Sequence, residues 1–579
     1  DPQCTGTVYF IPSTGVCSRE DSSSRGYRLD YNAEGRDLLS ELERTMIYGY
    51  ANHEINDNLE AFGEFYFYDS STNKVNSAVT DLGSVVLRLG ASNYYNPLGR
   101  ATIDGQPNPN RFPDPTGEIY EDVPDSGYDL AMDLFRFQEA PRNVNNNGQS
   151  TRLLFGLRGT KADWDWESAA VWSEATLDDI TTNRISNTLI THALYDPTPA
   201  AYNLFAGGDP DGIEQALVSM YRKGESDLKM VDFKMSNAEL FEMPAGPVGF
   251  LVGYEWRRES YVDDRDPRLD GTIRFMRESD PINAPGVYDI EGDFDSCDPV
   301  EEPLGCSADG FDTYPVTSDI VGASPTPDSR GSRTTNSLFM EFAVPLHETL
   351  DVQFAYRYED FDDIGSTGVG KVAFGLRPLD NLLFRGSWSE AFRAPNLITI
   401  NEQFVARANT RDDWVCQYAD DIADNGSDEL CDRGYSMQRQ ATGSKLLKPE
   451  ESTNTSFGFV LEPMEGLTIT ADYWTIDKDG TIGLFGEENH ILLDLVLRLE
   501  AGMGNCDSVQ GNPLVVRNAP DLDDQELVDG FMAVGLCPVG EVDYVADSYL
   551  NLDTFELEGY DIGIYYDFDT PIGEFSLRY

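Results

Sequence analysis

The stretch Leu350–Phe361 reads LDVQFAYRYEDF, and as far as Glu359 it sorts its residues by parity. In an extended strand, successive side chains point to opposite faces. One face would carry Leu350, Val352, Phe354, Tyr356 and Tyr358. The other face would carry Asp351, Gln353, Ala355, Arg357 and Glu359. The pattern therefore predicts a strand with one large apolar face and one charged face.

The same sorting recurs along the chain. Val248, Phe250, Val252, Tyr254 and Trp256 alternate with Gly249, Gly253, Glu255 and Arg257. Val372, Phe374 and Leu376 alternate with Lys371, Ala373, Gly375 and Arg377, and Leu153, Phe155 and Leu157 share a face opposite Arg152 and Arg158. A transmembrane β-barrel requires this arrangement, because its strands have lipid outside and a wet lumen inside. A large soluble β-sandwich or propeller is the competing interpretation.

Short turns and long loops alternate between the predicted strands. The short turns lie at Asn56–Asn58, Lys161–Asp163, Pro244–Pro247, Pro345–Thr349, Pro378–Asn381, Pro463–Gly466 and Asp569–Gly573. Every connection between them runs to tens of residues, except the one from Tyr358 to Val369. Outer-membrane barrels have short periplasmic turns and long extracellular loops, so the alternation favours the barrel over a soluble fold.

Composition excludes some functions. The chain has 102 acidic and 42 basic residues and a formal charge of −60, which excludes functions that depend on binding nucleic acid phosphates. A saline or divalent-rich medium accounts for this acidity more simply than an acidic functional site, because salt screens the repulsion. No apolar run of about 18 residues predicts a membrane helix, and a barrel needs none. The chain opens on DPQCTG, which reads as the middle of a loop and predicts a mature or fragmentary sequence.

The eight cysteines fall into neighbouring pairs, each within one long loop. The predicted disulfides join Cys4 to Cys17, Cys297 to Cys306, Cys416 to Cys431 and Cys506 to Cys537. Closing such loops restrains the unfolded chain by roughly 2–4 kcal/mol each and indicates an oxidising compartment. Zinc binding is disfavoured, because the cysteines lack CxxC spacing and neighbouring histidines.

Four motifs resemble those of the TonB-dependent outer-membrane receptors, in particular the large-loop branch of that family. Phe392, Arg393, Ala394, Pro395 and Asn396 resemble the F-R-A-P-N corner in which a strand of these receptors ends. Leu447–Ser452, LKPEES, looks like the L-x-P-E-x-S start of the next strand. Glu239–Gly249 and Tyr94–Gly99 resemble a hairpin and a loop motif of the same branch. The F-R-A-P-N corner is expected to be architectural rather than ligand-binding.

The resemblance implies an all-β fold, a transmembrane antiparallel β-barrel with long extracellular loops that carry short helices. Members of the family resemble barrels of about 22 strands around a plug, and the motifs place roughly 14 of them, about strands four to seventeen, in this chain. Residues 1–579 would then be a partial barrel domain. The plug, its TonB box, the first strands and the last strands would lie outside it. Tyr579 resembles the aromatic end of a complete barrel, but any outward-running strand can end this way.

The loops offer candidate sites. Helices are predicted at Asp211–Lys223, Glu488–Gly502 and Asp521–Leu536, where apolar residues would pack neighbouring loops into an extracellular cap. Ligand contacts are expected from this cap and the lumen rim, with Trp414, Tyr418 and Asp420 as candidates, because aromatics beside acidic acceptors suit sugars or peptides.

Other patterns are discounted. The segment from Asp477 to Ile482 resembles a calcium loop, but Thr475 and Gly486 stand where the first and twelfth ligands belong. No cofactor is predicted, with calcium bound by acidic extracellular loops as an open alternative. The four histidines lie far apart in the predicted map, and no hydrolytic triad or metal-ligand cluster is readable, so an enzyme is not predicted.

The resemblance implies an active transporter in the outer membrane of a Gram-negative bacterium, energised by the TonB–ExbB–ExbD system through the plug. Its ligand would be a scarce organic nutrient. An oligosaccharide or a peptide is favoured over a ferric siderophore or cobalamin, because an anionic mouth repels anionic chelates. The alternative is a passive porin or a surface-receptor barrel that binds a partner protein or a phage.

Overall fold

One antiparallel sheet dominates the structure. The computed structural model describes the backbone of residues 8–11 and 16–19, and residues 36–79, 87–111, 123–132, 135–137, 139–204, 212–273, 275, 318–403, 405–423, 431, 433–504, 506 and 509–579. Within these residues, 14 long strands pair in chain order, so each strand lies beside its predecessor. The expected number of strands is therefore confirmed.

The strands of this sheet are numbered β1 to β14. Their bounds are Glu41–Asn56 (β1), Leu59–Asn76 (β2), Arg142–Lys161 (β3), Trp164–Ile185 (β4), Leu217–Met243 (β5), Gly246–Arg265 (β6), Ser329–His347 (β7), Leu350–Phe361 (β8), Gly365–Leu379 (β9), Leu382–Arg393 (β10), Glu450–Met464 (β11), Leu467–Asp479 (β12), Phe555–Thr570 (β13) and Gly573–Arg578 (β14). Among the described residues, β1 pairs only with β2 and β14 only with β13, so these two strands form the edges of the sheet.

The connections alternate as predicted. All seven predicted short turns are present, and each joins its strands through two residues, as at Asp57–Asn58 between β1 and β2. Residues 362–364 form the short connection between β8 and β9. The remaining connections are residues 77–141, 186–216, 266–328, 394–449 and 480–554, all at the opposite end of the sheet from the two-residue turns.

The strand register confirms the predicted faces. Phe354 lies between Phe342 on β7 and Val372 on β9, and the apolar row continues to Phe250 and Trp388. The opposite face is polar, with Glu359 between Ser337 and Thr367. A slip of one residue would exchange these faces, so the register and the side-chain pattern specify each other.

Two caps fold from the long connections. The first cap is built from the described residues of the connections 77–141, 186–216 and 266–328 and has a core that includes Leu89, Phe137, Ile190, Leu194 and Phe275. Its regular elements are α1 (Asn187–Tyr195), the 3-10 helix Glu214–Ala216 and the short strands Leu87–Leu89, Thr102–Ile103, Gln106–Pro107 and Leu130–Met132. Asn96 of the Tyr94–Gly99 motif is fully buried and donates to the carbonyls of Gly90 and Tyr128 at 2.9 Å, so this motif braces the cap.

The second cap is built from the described residues of the connections 394–449 and 480–554. Its helices are α2 (Leu397–Asn401), α3 (Trp414–Ala423), α4 (Glu487–Ala501) and α5 (Gln525–Ala533). A four-stranded sheet in the order Val405–Asp412, Gly434–Thr442, Val542–Ser548 and Val515–Arg517 supports them, and Ile482–Gly483 pairs with Leu550–Asn551. Outside both caps, Val8–Ile11 pairs with Val16–Arg19.

The predicted loop helices are partly confirmed. The helix expected at Glu488–Gly502 is α4, and the one expected at Asp521–Leu536 is the shorter α5, which Asp524 caps. The prediction of a helix at Asp211–Lys223 is wrong. Only Glu214–Ala216 is helical there, and Leu217 already begins β5, because Lys223 and its neighbours pair with the outer end of β4.

Two of the four predicted disulfides are confirmed. Cys416 joins Cys431 with a Cα–Cα distance of 6.0 Å, and Cys506 joins Cys537 at 5.5 Å. Both bridges lie within the second cap. The predicted pairs Cys4–Cys17 and Cys297–Cys306 involve side chains outside the described residues and stay predictions.

We expect Phe354→Arg to destabilise the barrel by about 2–4 kcal/mol if this position lies near the bilayer midplane, because a guanidinium on the apolar face would meet hydrocarbon. Gln353→Arg should have a mild effect, because Gln353 lies on the polar face and already donates to Glu341. Reversible unfolding by urea in lipid vesicles measures both free energies. Equal losses at the two positions would contradict the assignment of the faces.

We expect non-reducing peptide mapping to recover all four bridges, including Cys4–Cys17 and Cys297–Cys306. The physical reason is that each pair is close in sequence within one loop. A peptide that joins Cys17 to Cys297 would overturn both the pairing and the loop boundaries. The Cys416–Cys431 and Cys506–Cys537 peptides serve as the internal control.

Candidate functional site

Ion pairs cross the polar face of the sheet. Arg158 on β3 lies 2.8 Å from Glu60 on β2, and Lys234 on β5 lies 2.8 Å from Glu167 on β4. These side chains are partly exposed, so water screens them and they add little stability. These ion pairs matter because they place both signs of charge along one face of the sheet.

Arg385 on β10 reaches past a whole strand to Asp472 on β12, at 2.5 Å. Gly458 on β11 lies between them and is the register partner of both. A Cβ at Gly458 would meet an Asp472 oxygen at 2.1 Å. Glycine is therefore required there for the guanidinium and the carboxylate to meet across the strand.

The two strand-end motifs meet in one joint. Arg393 of the F-R-A-P-N corner donates to Glu450 of the LKPEES segment at 2.5 Å. Glu450 is fully buried, accepts from the Ile482 backbone at 2.7 Å and pairs with Lys478 at 3.0 Å. The joint ties the outer ends of β10, β11 and β12 together.

The corner also starts the helix that covers the polar face. Pro395 follows the end of β10, and Asn396 caps α2 by accepting from the Thr399 backbone at 2.7 Å. Asn401, at the other end of α2, packs on Gly331 of β7, where a Cβ would lie 2.4 Å from the Asn401 amide nitrogen. Because β8 and β9 separate β10 from β7, α2 bridges the concave polar side of the sheet.

A cavity of about 850 Å³ lies beside α2, and we call it the rim cavity. It opens between the outer ends of β6 and β7, the end of α2 and residues 443–445. Its charged lining residues are Asp263, Asp264, Asp328, Arg330, Glu402 and Lys445. The volume suits a small organic ligand.

The carboxylates of the rim cavity are not equivalent. Arg222 donates to Asp263 at 2.8 and 3.0 Å, and Arg265 donates to it at 2.8 Å. Glu402 is half-buried, and burial raises its pKa, although Arg407 and Arg265 act in the opposite direction. Within the described part of the chain, no hydrogen bond reaches the Glu402 carboxylate, so this carboxylate can accept from a ligand.

Tyrosines also occur near this end of the sheet. Burial and then the Glu402 charge raise the pKa of Tyr549. The Tyr261 ring lies beside Gly331, 3.0 Å from the Cβ position, next to Asn401. A carboxylate can bind a hydroxyl or ammonium donor, and an aromatic ring can stack against the carbon skeleton of the same ligand.

The residues predicted as ligand contacts lie elsewhere. Trp414 and Tyr418 are on α3 and pack against the buried cluster around Val415, Ala419 and Phe531. Asp420 pairs with Arg433 at 2.6 Å. None of the three lines the rim cavity as the described residues define it, and their ligand role stays a prediction. Sequence reasoning missed Glu402, whose one local signal is that it ends the helix that follows the F-R-A-P-N corner.

A buried ion-pair network holds the second cap together. Arg517 donates to both oxygens of Asp413 at 2.7 and 2.8 Å and to Asp494 at 2.9 Å. Burial alone would raise the pKa of Asp413, but the Arg517 hydrogen bonds hold it below its usual range. Burial alone would lower the pKa of Arg517, but the two carboxylates raise it. The Asp413–Arg517 pair is therefore fully charged at neutral pH.

Two further features are limited to the described residues. No helix there is both long and apolar enough to cross a membrane. No group of three or more histidine, cysteine, aspartate or glutamate side chains there could hold a metal ion. His490 is buried and contacts Asp547 at 3.3 Å and Asn512 at 3.2 Å, as part of the packing of α4.

The family model described as TonB dependent receptor-like, beta-barrel, matches residues 76–490. This match covers more than half of the chain and includes the four motifs found in the sequence. The chain therefore belongs to the TonB-dependent receptor family, whose members are transport receptors of the outer membrane rather than enzymes. The 14-stranded sheet is the β-barrel sheet of this family.

Several solved structures match the chain over most of its length. The siderophore receptor PirA from Acinetobacter baumannii is 11% identical and has a TM-score of 0.43 over 91% of this chain and 51% of PirA. The RagAB peptide importer in its closed-closed state is 10% identical, with a TM-score of 0.42 over 92% of this chain and 45% of that one. The ferripyoverdine receptor of Pseudomonas aeruginosa, bound to ferripyoverdine, is 11% identical, with a TM-score of 0.42 over 92% and 48%.

The chain spans about half the length of these solved chains. No curated protein matches it. The family assignment rests on the family model together with the motifs.

We expect Arg517→Met to destabilise the second cap by about 3–5 kcal/mol, because it leaves two buried carboxylates without their shared cation. Hydrogen exchange of α3 and α4 in the full-length receptor measures the loss. The matched control is Arg377→Met, whose partner Asp351 is exposed, and it should change exchange little. Unchanged protection of α3 and α4 in Arg517→Met would contradict the role of the network.

The same network sets the acid stability of the cap. The pKa of Asp413 is lower in the folded cap than its ordinary value of about 4. Its contribution to the free energy of unfolding of the cap is therefore complete above about pH 4 and is lost as the pH falls through the lower folded pKa. Wild-type protection should therefore hold to about pH 4 and decline below it.

Proposed function

We propose that this chain is the barrel domain of a TonB-dependent active transporter that binds and imports a scarce organic nutrient. An oligosaccharide or a peptide is favoured as the ligand over a ferric siderophore or cobalamin. The observation that carries this proposal is the rim cavity, where Glu402 offers a half-buried carboxylate without a hydrogen-bond partner among the described residues. The proposed location is the outer membrane of a Gram-negative bacterium.

The charge of the site supports the ligand class. The rim cavity has Asp263, Asp264, Asp328 and Glu402 among its lining residues, and the chain carries a formal charge of −60. An anionic ferric chelate would have to approach this field against repulsion, whereas a neutral sugar or a peptide amine would not. Salt reduces the repulsion but acts less on a half-buried group such as Glu402.

The proposal includes the energising parts of the system. A plug with a TonB box outside these 579 residues would couple the barrel to the TonB–ExbB–ExbD system. The polar face of the sheet supports this part of the proposal, because its charged pairs offer both signs of charge to a folded plug. No cofactor is proposed; calcium in the acidic loops remains an alternative for their charge balance.

Binding to the purified full-length receptor tests the site. The probes are short neutral oligosaccharides, short peptides and a ferric catecholate chelate, each fluorescently labelled. We expect Glu402→Gln to weaken binding of the preferred probe about tenfold, roughly 1.4 kcal/mol, because a charge-assisted hydrogen bond becomes a neutral one. Protonation of Glu402 should weaken binding, so the affinity of the wild type should decrease as the pH is lowered through the raised pKa of Glu402. Glu402→Gln should remove that dependence.

The matched control is Glu526→Gln, an exposed glutamate on α5 that should leave affinity unchanged. Uptake of the same probe into cells should stop when a protonophore collapses the proton gradient. Uptake that continues would favour a passive porin. Tightest binding of the ferric chelate, unaffected by Glu402→Gln, would contradict the proposed ligand class.

A further inference from the structure

Helix α4 of the second cap exposes a row of apolar residues although part of its buried face is charged. Ile491 and Leu495 on the buried face pack in the core of the cap. The charged residues Glu487 and Asp494 of the helix are buried, as is His490. Its outward face is apolar and consists of Leu492, Leu493, Val496, Leu499 and Met503, which follows the end of the helix, with exposed fractions of 38–46%. We call these five residues the apolar stripe. Surface helices normally place such residues toward the core, so the stripe requires an explanation.

The buried network locks α4 in this orientation. Asp494 accepts from Arg517 at 2.9 Å, from Arg498 at 3.0 Å and from the Asn512 backbone at 2.8 Å. Rotating the helix to bury the apolar stripe would separate Asp494 from Arg517 and would expose Ile491 and Leu495. The stripe therefore cannot be buried by rotation of α4 alone.

A second set of contacts acts near the start of α4. Glu487 accepts from Asn409 at 2.7 Å and pairs with Arg411 at 3.4 Å and Arg439 at 3.5 Å. His490 contacts Asp547 at 3.3 Å. Because both ends of the helix are held, the outward direction of the stripe is built into the cap.

The surroundings of the stripe are mainly acidic. Glu488 and Glu500 are exposed at the two ends of the helix, and Arg411 lies 3.6 Å from Glu488. The connection formed by residues 480–554 contains no lysine, and its arginines are Arg498 and Arg517. Both arginines are largely buried and pair with Asp494. A partner for the stripe would thus meet leucine and valine side chains bordered by carboxylates.

We propose that the apolar stripe docks a helical polypeptide segment that has an apolar ridge flanked by lysine or arginine. Positions 492, 496 and 499 of α4 are spaced as helix-packing contacts require. Charge complementarity selects this occupant, because basic flanks would meet Glu488 and Glu500. A second copy of this chain would bring acidic borders together, and an anionic lipid surface would meet the same repulsion. The interaction does not depend on the proposed import.

A defined peptide tests this docking. The probe is a synthetic amphipathic helix with leucine on one face and lysine on the flanks, and its control is a scrambled peptide of the same composition. Fluorescence anisotropy measures binding of both peptides to the full-length receptor in nanodiscs. We expect the amphipathic peptide to bind at least about tenfold tighter than the scrambled one, with affinity that declines as salt rises.

The variant Leu492→Gln/Val496→Gln should abolish the difference between the peptides, since glutamine keeps helix propensity and all carboxylates remain. Leu514→Gln is the matched control, an exposed leucine of the same connection outside α4, and it should retain the difference. Leu493→Gln provides a single substitution should the double variant fold poorly, as judged by hydrogen exchange of α4.

Three results would overturn the inference. The first is equal binding of the amphipathic and scrambled peptides to the wild type, which would indicate general attraction to a polyanion. The second is self-association of the receptor that Leu492→Gln/Val496→Gln removes. The third is binding of phosphatidylglycerol vesicles to the detergent-solubilised receptor that the same variant removes.

Discussion

Backbone pairing in a medium without water is the constraint on which the rest of this structure depends. A strand in hydrocarbon cannot leave N–H and C=O groups unpaired, so neighbouring strands must match along their length. Two-residue turns bring each strand directly back beside its predecessor, as between Met243 and Gly246. Once pairing is continuous, parity assigns every side chain to a face. Phe250, Phe342 and Phe354 then form one apolar row as a direct result of the register.

The parts of the fold that follow from local rules could be predicted from the sequence. Period-two alternation identifies strands and turn residues identify hairpins, and both are readable within about ten residues. The same locality explains the error at Asp211–Lys223. Ile213 and Ala216 do pack in the first cap, but the helix-like spacing ends where Leu217 begins β5. Pairing with β4 makes residues 217–223 a strand, and no local sequence pattern predicts this pairing.

The candidate site could not be predicted in the same way. Arg393 and Glu450 are 57 residues apart, and the rim cavity is assembled from β6, β7, α2 and residues 443–445. An aromatic residue beside a carboxylate, as at Trp414 and Asp420, fits a binding site and a packed helix equally well in sequence. In the structure, the aromatic residues of α3 pack into a hydrophobic cluster. Glu402 lies beside the cavity because α2 ends there. The motif identified the F-R-A-P-N corner, but it did not reveal that the corner positions α2 and Glu402.

Scarcity of cations connects the sheet, the cap and the surface. With 42 basic residues for 102 acidic ones, cations at key points are shared, and Arg517 serves Asp413 and Asp494 together. Arg393 and Lys478, by contrast, both pair with the buried Glu450 where the ends of β10, β11 and β12 meet. On helix α4, Asp494 faces inward because Arg517 and Arg498 pair with it. Leu492, Leu493 and Val496 lie outward on the same helix, which also carries the exposed Glu488 and Glu500. Specificity at this surface therefore depends on what an approaching molecule supplies, which is positive charge beside an apolar ridge.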